Sequence, residues 1–203
     1  MHLFRRSDEL LAALISTHEE YVRQGYRAQN EPFLRVADMS PDTLTVGDQR
    51  GSVSLVFCDY PSIQAFPEIR TLPGPVAEIT GLHLKPNARS RSVIDFCQEI
   101  YAYGRFFAQN IVISTSPGNR IFYTKHGFVP WLEVRNHHEG VSDLVQLLVS
   151  RQPPRETFLS LISPTPGRWR LYERFHHLLR QDEQAFLRLK WRWLEKRKSW
   201  FLS

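Results

Sequence analysis

Three side chains near the middle of the chain could move protons: Glu78, His83 and Tyr123. Glu78 stands in an otherwise apolar stretch. A carboxylate beside apolar neighbours has a raised pKa and can act as a base; the plainer reading is a structural carboxylate paired with an arginine. Tyr123, with an ordinary pKa near about 10, suits delivery of a proton to a departing anion, or else it is a core tyrosine satisfying one hydrogen bond. His83 could relay that proton in its place, although a lone histidine on a strand is often structural. Arg89 and Arg91 flank a helix start marked by Ser92 and Asp95, where backbone amides and guanidinium groups could hold phosphate; a solvated basic turn is the alternative. A resident metal is not expected. His137 and His138, then His176 and His177, are adjacent pairs, strand neighbours point apart, and no Cys or Asp cluster completes a shell. Cys58 and Cys97 read as buried small hydrophobes, with Cys97 as a nucleophile the alternative.

Positioning these groups calls for alternating helices and strands. Ser7 is placed to cap a first helix with Asp8 and Glu9 in its opening turn, and Gly25 stops it. Strands are expected over residues 34–37, 43–47 and 51–58, the last two joined by the polar turn 48–50. Residues 60–75 are proline-punctuated and read as a loop long enough to cover a site. Residues 76–85 form the next strand. Strict alternation puts Val76, Glu78, Thr80, Leu82 and Leu84 on one face and Ala77, Ile79, Gly81, His83 and Lys85 on the other. Gly81 inside that strand signals a bulge or a close backbone approach. A helix from Ser92 to about residue 109, a strand at 111–114, a short helix at 119–126 and strands at 129–135 and 142–148 complete the pattern.

With 203 residues, 42% of them apolar, the chain can bury one sizeable core. Pro153, Pro154, Pro164 and Pro166 punctuate the join to a tail, giving a domain over 1–152 and a helical extension over 153–203. The net charge of +5 is uneven: residues 168–203 hold ten Lys or Arg against four Asp or Glu, while the rest is close to neutral. Within that tail Trp169, Leu171, Tyr172, Phe175, Leu178, Leu179, Phe186, Leu189, Trp193 and Phe201 recur at helical steps. Its apolar stripe either packs on the domain with the charges solvated, or leaves a basic face for an acidic carrier protein or for peripheral contact with anionic lipid. No nucleic-acid motif accompanies it, and nucleic acid is not an expected partner. Without a continuous apolar leader or a run of about 20 apolar residues, a cytoplasmic location is expected.

Phe122 and Tyr123, followed after three residues by Gly127 and Phe128, resemble the loose pattern of the GCN5-related N-acetyltransferase superfamily. The strand at residues 76–86 resembles its central strand, and the two segments together cover residues 76–131. The resemblance implies an α/β fold: a mixed twisted sheet with helices on both faces, here followed by the basic helical extension. It implies N-acyl transfer from an acyl-phosphopantetheine thioester to the amine of a small molecule, by direct attack. Glu78 is then the base, Tyr123 the acid with His83 as its substitute, and a Gly81 bulge frees an amide for the oxyanion. Leu82 and Leu84 would pair with pantetheine in a cleft opening toward residues 111–114, while Arg89, Arg91 and Ser92 hold phosphate and Asn119 bonds pantetheine amides. The superfamily's coenzyme A turn carries a small residue where this chain has Ile94, a branched side chain where backbone must approach phosphate. The sequence is more similar there to the N-acyl amino acid synthase and acyl-homoserine-lactone synthase branch. That branch takes acyl chains from acyl carrier protein. Ala77 and Glu78 match its strand, Pro117, Phe122 and Tyr123 match its loop, and Asn119 replaces the loop's His. The expected donor is therefore acyl carrier protein, or else acyl-CoA. The alternatives are an ordinary acetyl-CoA N-acetyltransferase and a non-catalytic protein of this fold.

Overall fold

The computed structural model describes residues 2–25, 27–57, 67–73, 75–86, 88, 95, 110–115, 117–125, 127–134, 145–151 and 166–201. In chain order these form β1 (His2–Leu3), α1 (Ser7–Arg23), α2 (Val36–Met39), β2 (Thr43–Asp48), β3 (Gly51–Phe57) and β4 (Val76–Leu84). β5 (Asn110–Thr115), α3 (Arg120–Thr124), β6 (Val129–Val134), β7 (Val145–Arg151), α4 (Pro166–Phe175) and α5 (Gln181–Phe201) follow. The seven strands make one mixed sheet in the order β1-β2-β3-β4-β5-β7-β6. Every pairing is antiparallel except β4 with β5. The expected helix at 92–109 apart from Asp95, the residues Arg89, Arg91, Ser92 and Ile94, both cysteines and the His137–His138 pair lie outside the described residues.

The sheet separates two apolar layers. On one face Val53, Leu55, Phe57, Ala77, Ile79, Ile111, Ile113 and Phe128 form a continuous cluster. On the other, Val56 joins Phe4, Leu10, Leu14, Val36, Met39, Leu171, Leu187 and Trp191 beneath α1, α2, α4 and α5. Alternation dictates this split, because Val56 pairs with Glu78 and Leu55 with Ile79, and paired residues share a face. Leu10 and Leu14, four residues apart, place one stripe of α1 on the sheet, and each such fully buried side chain contributes about 1.5–3 kcal/mol. Gly25 ends α1 as the sequence indicates, in the left-handed conformation at φ 74°.

Three readings are corrected. Residues 34–37 are not a strand: Val36–Met39 is one helical turn whose start Asp38 closes by accepting the Arg35 backbone N–H at 2.9 Å. Four residues are too few to display a helical period, and Val36, Ala37, Asp38 and Met39 are all buried. The cap position of α1 belongs to Arg6 rather than Ser7, and Arg6 instead pairs with Asp8 at 2.8 Å. In the tail, the tryptophan of α5 that reaches the core is Trp191, 3% exposed, while Trp193 is 45% exposed. The helices of the tail complete the same layer that α1 and α2 begin. Among the described residues no helix is long and apolar enough to cross a membrane.

Candidate functional site

Gly81 and Leu82 together stand opposite the single residue Val53. The pairs Ser54↔Thr80 and Ser52↔His83 leave two residues of β4 facing one of β3. This is the bulge that Gly81 signals in the sequence, and its φ of 64° explains the glycine, since a Cβ there would meet no atom closer than 3.8 Å. The extra residue inverts the alternation beyond it. Leu82 and Leu84 pack with Ala77 and Ile79 on one face, whereas His83 joins Glu78 on the face of α1. Strict alternation had set Glu78 with Leu82 and Leu84, and His83 opposite; the bulge overturns that.

Beside the bulge the sheet opens. The parallel pairs of β4 with β5 run from Val76↔Asn110 to Ile79↔Ile113. From Thr80 onward β4 continues along β3, and Ser114 and Thr115 continue along β7. A wedge between β4 and β5 therefore begins next to Gly81. A cleft between these strands has room only past Ile113, not along residues 111–113, which are paired.

Glu78 is 2% exposed at the closed end of this wedge. Across the same face its charge favours that of Arg35, whose guanidinium is held above its ordinary range: burial opposes the charge, and the carboxylates of Asp38 and then Glu78 outweigh it. His83 is held below its usual value by burial first, with Glu20 and Glu19 opposing and Lys85 adding to the shift, so it is neutral at pH 7. Its Nδ1 is buried and makes no hydrogen bond among the described residues. An open depression of about 490 Å³ lies in front of His83 and Lys85, bordered by α1 and the β2–β3 turn.

Tyr123 approaches from the opposite face. It packs against the cluster of Ile79, Ile111 and Ile113, edge-on to Phe122 at 5.0 Å and to Phe128 at 6.3 Å. Glu78 and Tyr123 therefore belong to opposite faces of the sheet, Glu78 on the face of α1 and Tyr123 on the face of Ile79 and Ile113. Asn119 is exposed at the turn preceding α3 and is not drawn into either cluster. Among the described residues no group of three or more His, Cys, Asp or Glu could hold a metal ion.

A charged pocket on the α1 face escapes the sequence reading. His18, Arg27, Arg35, Asp38, Ser54 and Gly81 line it, and its free space of about 10 Å³ is that of one water-sized sphere. Arg35 closes on Asp38 through two side-chain hydrogen bonds of 3.3 and 3.2 Å. Asp38 stays below the carboxylate range although burial pushes it upward, because Arg35 outweighs that penalty. The only trace in the sequence is Arg35 standing three residues before Asp38. Nothing local brings Arg27 to Gly81; that is the work of α1 folding over β4.

Against solved structures, the chain is similar to FeeM, an N-acyl amino acid synthase from uncultured soil microbes, at 15% identity over 74% of this chain and 95% of that one, TM-score 0.58. It is similar also to an acyl-CoA N-acyltransferase from Pseudomonas aeruginosa, at 17% identity over 70% and 90%, TM-score 0.51. A third is smu.2055 from Streptococcus mutans, at 12% identity over 74% and 99%, TM-score 0.52. No family model matches the sequence, and no curated protein does. At these identities the likeness is one of fold alone: the chain shares the fold of these acyltransferases.

Proposed function

We propose that the protein is an N-acyltransferase that moves an acyl group from a phosphopantetheine thioester to the amine of a small molecule. The observation that carries this reading is the Gly81–Leu82 bulge at the mouth of the β4–β5 wedge. A bulge leaves a ladder amide without its partner, and an amide aimed into a cleft is a ready donor to a developing oxyanion. The acyl thioester would lie in the wedge with pantetheine along Leu82 and Leu84. Glu78 takes the proton of the incoming amine, directly or through one water, as nitrogen bonds to the thioester carbon. The tetrahedral intermediate collapses by breaking the C–S bond, and Tyr123 gives its proton to the thiolate from the other face. His83, neutral at pH 7, stands by as the alternative proton carrier on the α1 face.

Within that reading the acyl group is a medium or long chain, carried by acyl carrier protein rather than free coenzyme A, and the acceptor is an amino acid. Ile94, a branched residue where the superfamily's coenzyme A signature has a small one, and the similarity in fold to an N-acyl amino acid synthase support this choice. The protein would work in the cytoplasm, where such carriers are charged. The experiment compares matched acyl-CoA and acyl-carrier donors, from acetyl to long chains, with a pooled set of amine acceptors and mass detection of the acylated product. Transfer favouring the carrier-bound long chain is expected. Equal or better use of acetyl-CoA would leave an ordinary N-acetyltransferase, and no transfer from any donor would defeat the enzymatic reading.

A further inference from the structure

Arg27 is a cation folded inward without a matching anion. Its guanidinium makes one hydrogen bond among the described residues, from Nη1 to His18 Nδ1 at 3.2 Å, and no ion pair within 4.0 Å. Glu31 and Asp38 are near enough to favour its charge, but Asp38 is engaged by Arg35, and Glu31 accepts the backbone N–H of Ala28 at 3.2 Å. Arg27 is pulled below its ordinary range, by burial first and then by Arg35. His18 is likewise lowered by burial and then by Arg27, so at pH 7 its Nδ1 is an acceptor and supplies no countercharge.

The same pocket is lined by the hydroxyls of Thr45 and Ser54. Arg168 Nη2 donates to Thr45 Oγ1 at 2.8 Å, and Thr45 Oγ1 lies 2.9 Å from Ser54 Oγ. Either hydroxyl of this pair can be the donor, and when Thr45 donates, the Ser54 proton is left for the pocket that Ser54 lines. Thr17 competes for none of this, because its hydroxyl donates to Ala13 O at 2.8 Å. The pocket thus presents a guanidinium and a hydroxyl around the volume of one oxygen atom, and its wall includes Gly81 at the bulge.

We propose that this pocket is a carboxylate-recognition site and that the amine acceptor must carry a carboxylate, as an amino acid does. Arg27 and Ser54 would hold one carboxylate oxygen, the pairing for which a guanidinium is best shaped, and this anchors the amine toward Glu78 and Gly81. The inference rests on the N-acyltransferase reading and adds to it the residues that choose the substrate. A carboxylate is preferred over a phosphate monoester because the space admits one oxygen and not three.

The test uses the full chain, one fixed thioester donor and matched acceptors: a panel of L-amino acids, their carboxamides, and β-alanine against O-phosphoethanolamine. Calorimetric binding of the same compounds reads the pocket without turnover. Acids are expected to exceed their amides by about ten- to a hundredfold in kcat/KM, chiefly through KM, the range of a charge-assisted hydrogen bond. In Arg27→Gln that acid-to-amide ratio should fall toward one, and Arg27→Lys should keep part of it. Ser54→Ala, which removes a donor and no charge, should lower the ratio several-fold and serves where Arg27→Gln fails to fold. Amides used as well as acids by the unaltered protein, an unchanged ratio in the variants, or preference for the phosphate would each overturn the site. Should the chain transfer to no acceptor, the enzymatic reading fails alone. Calorimetry then decides the pocket: acids bound over amides uphold it, and equal binding overturns it.

Discussion

Glu78 and Tyr123 come from positions far apart in the chain to opposite faces of one sheet, and each has a distinct part to lose. Tyr123→Phe should lower turnover by about ten- to ten-thousandfold, the range of lost general acid–base help, with the unfolding midpoint unchanged. Full activity in a folded variant would remove Tyr123 from the chemistry. Glu78→Gln should flatten the limb of the pH–rate profile that rises toward alkaline pH; an unaltered profile would make Glu78 structural. The burial of Glu78 was legible, because it follows Val76 and Ala77 and precedes Ile79. Its neighbour Arg35 was not, since only the tertiary fold brings α2 to β4. Two histidines make the fold itself sensitive to acid. His18 and His83 are both held below their ordinary value near 6.5, each by burial first. A depressed folded value means that the unfolded chain binds the proton more readily. Their neutral forms therefore support the fold fully above about pH 6.5, and that support is lost as pH falls below it through their folded values. Chemical denaturation of the His18→Gln, His83→Gln double variant should show a shallower fall in stability below pH 6.5; the same slope as the unaltered chain would refute the assignment.

Regular strands announced themselves by composition, and β2 to β7 lie where alternation and turn residues put them, within a few residues. β1 has two residues and α2 four, lengths at which no period can be read. The bulge is the instructive case. One glycine in β4 was enough to expect it, but which side chains it carried across the sheet depended on the register with β3, fixed by the partner strand rather than by β4 itself. Gly81→Ala tests this element. There is room for the Cβ, so the cost is conformational, about 1–2 kcal/mol for a left-handed backbone position. Activity should fall by more than the loss of stability accounts for, because a flattened bulge re-pairs the amide and returns His83 and Leu82 to the wrong faces. A stable variant with undiminished activity would separate the bulge from the chemistry.

At the scale of the whole molecule the basic tail divides into a part that builds the fold and a part that faces water. Arg168 is buried, its pKa drawn down to about 10 by burial and favoured only by Asp38, and it donates to Asp38 O at 2.6 Å and to Thr45. Lys190 pairs with Asp42, and Arg180 with Asp182 at 3.2 Å. The aromatic partners divide the same way. Trp191→Ala should cost about 3–5 kcal/mol, and Trp193→Ala, on the exposed side, about 1 kcal/mol or less, as thermal or chemical unfolding would show. What the helices leave outward includes Arg188 and Arg192, one turn apart on exposed positions of α5. If the proposed acyl carrier protein docks on this surface, reversing both to Glu should slow association, with little change in stability, and the deficit should shrink as salt is raised. Exposed charges are screened beyond about 10 Å at 0.1 M ionic strength, so a steering effect weakens with salt while a packing defect does not. Carrier binding measured at two ionic strengths, with unfolding of the same variant as the control, discriminates the two. Binding that is insensitive to salt and survives the reversal would confine the tail to its structural part, the closing of the layer above β2 and β3.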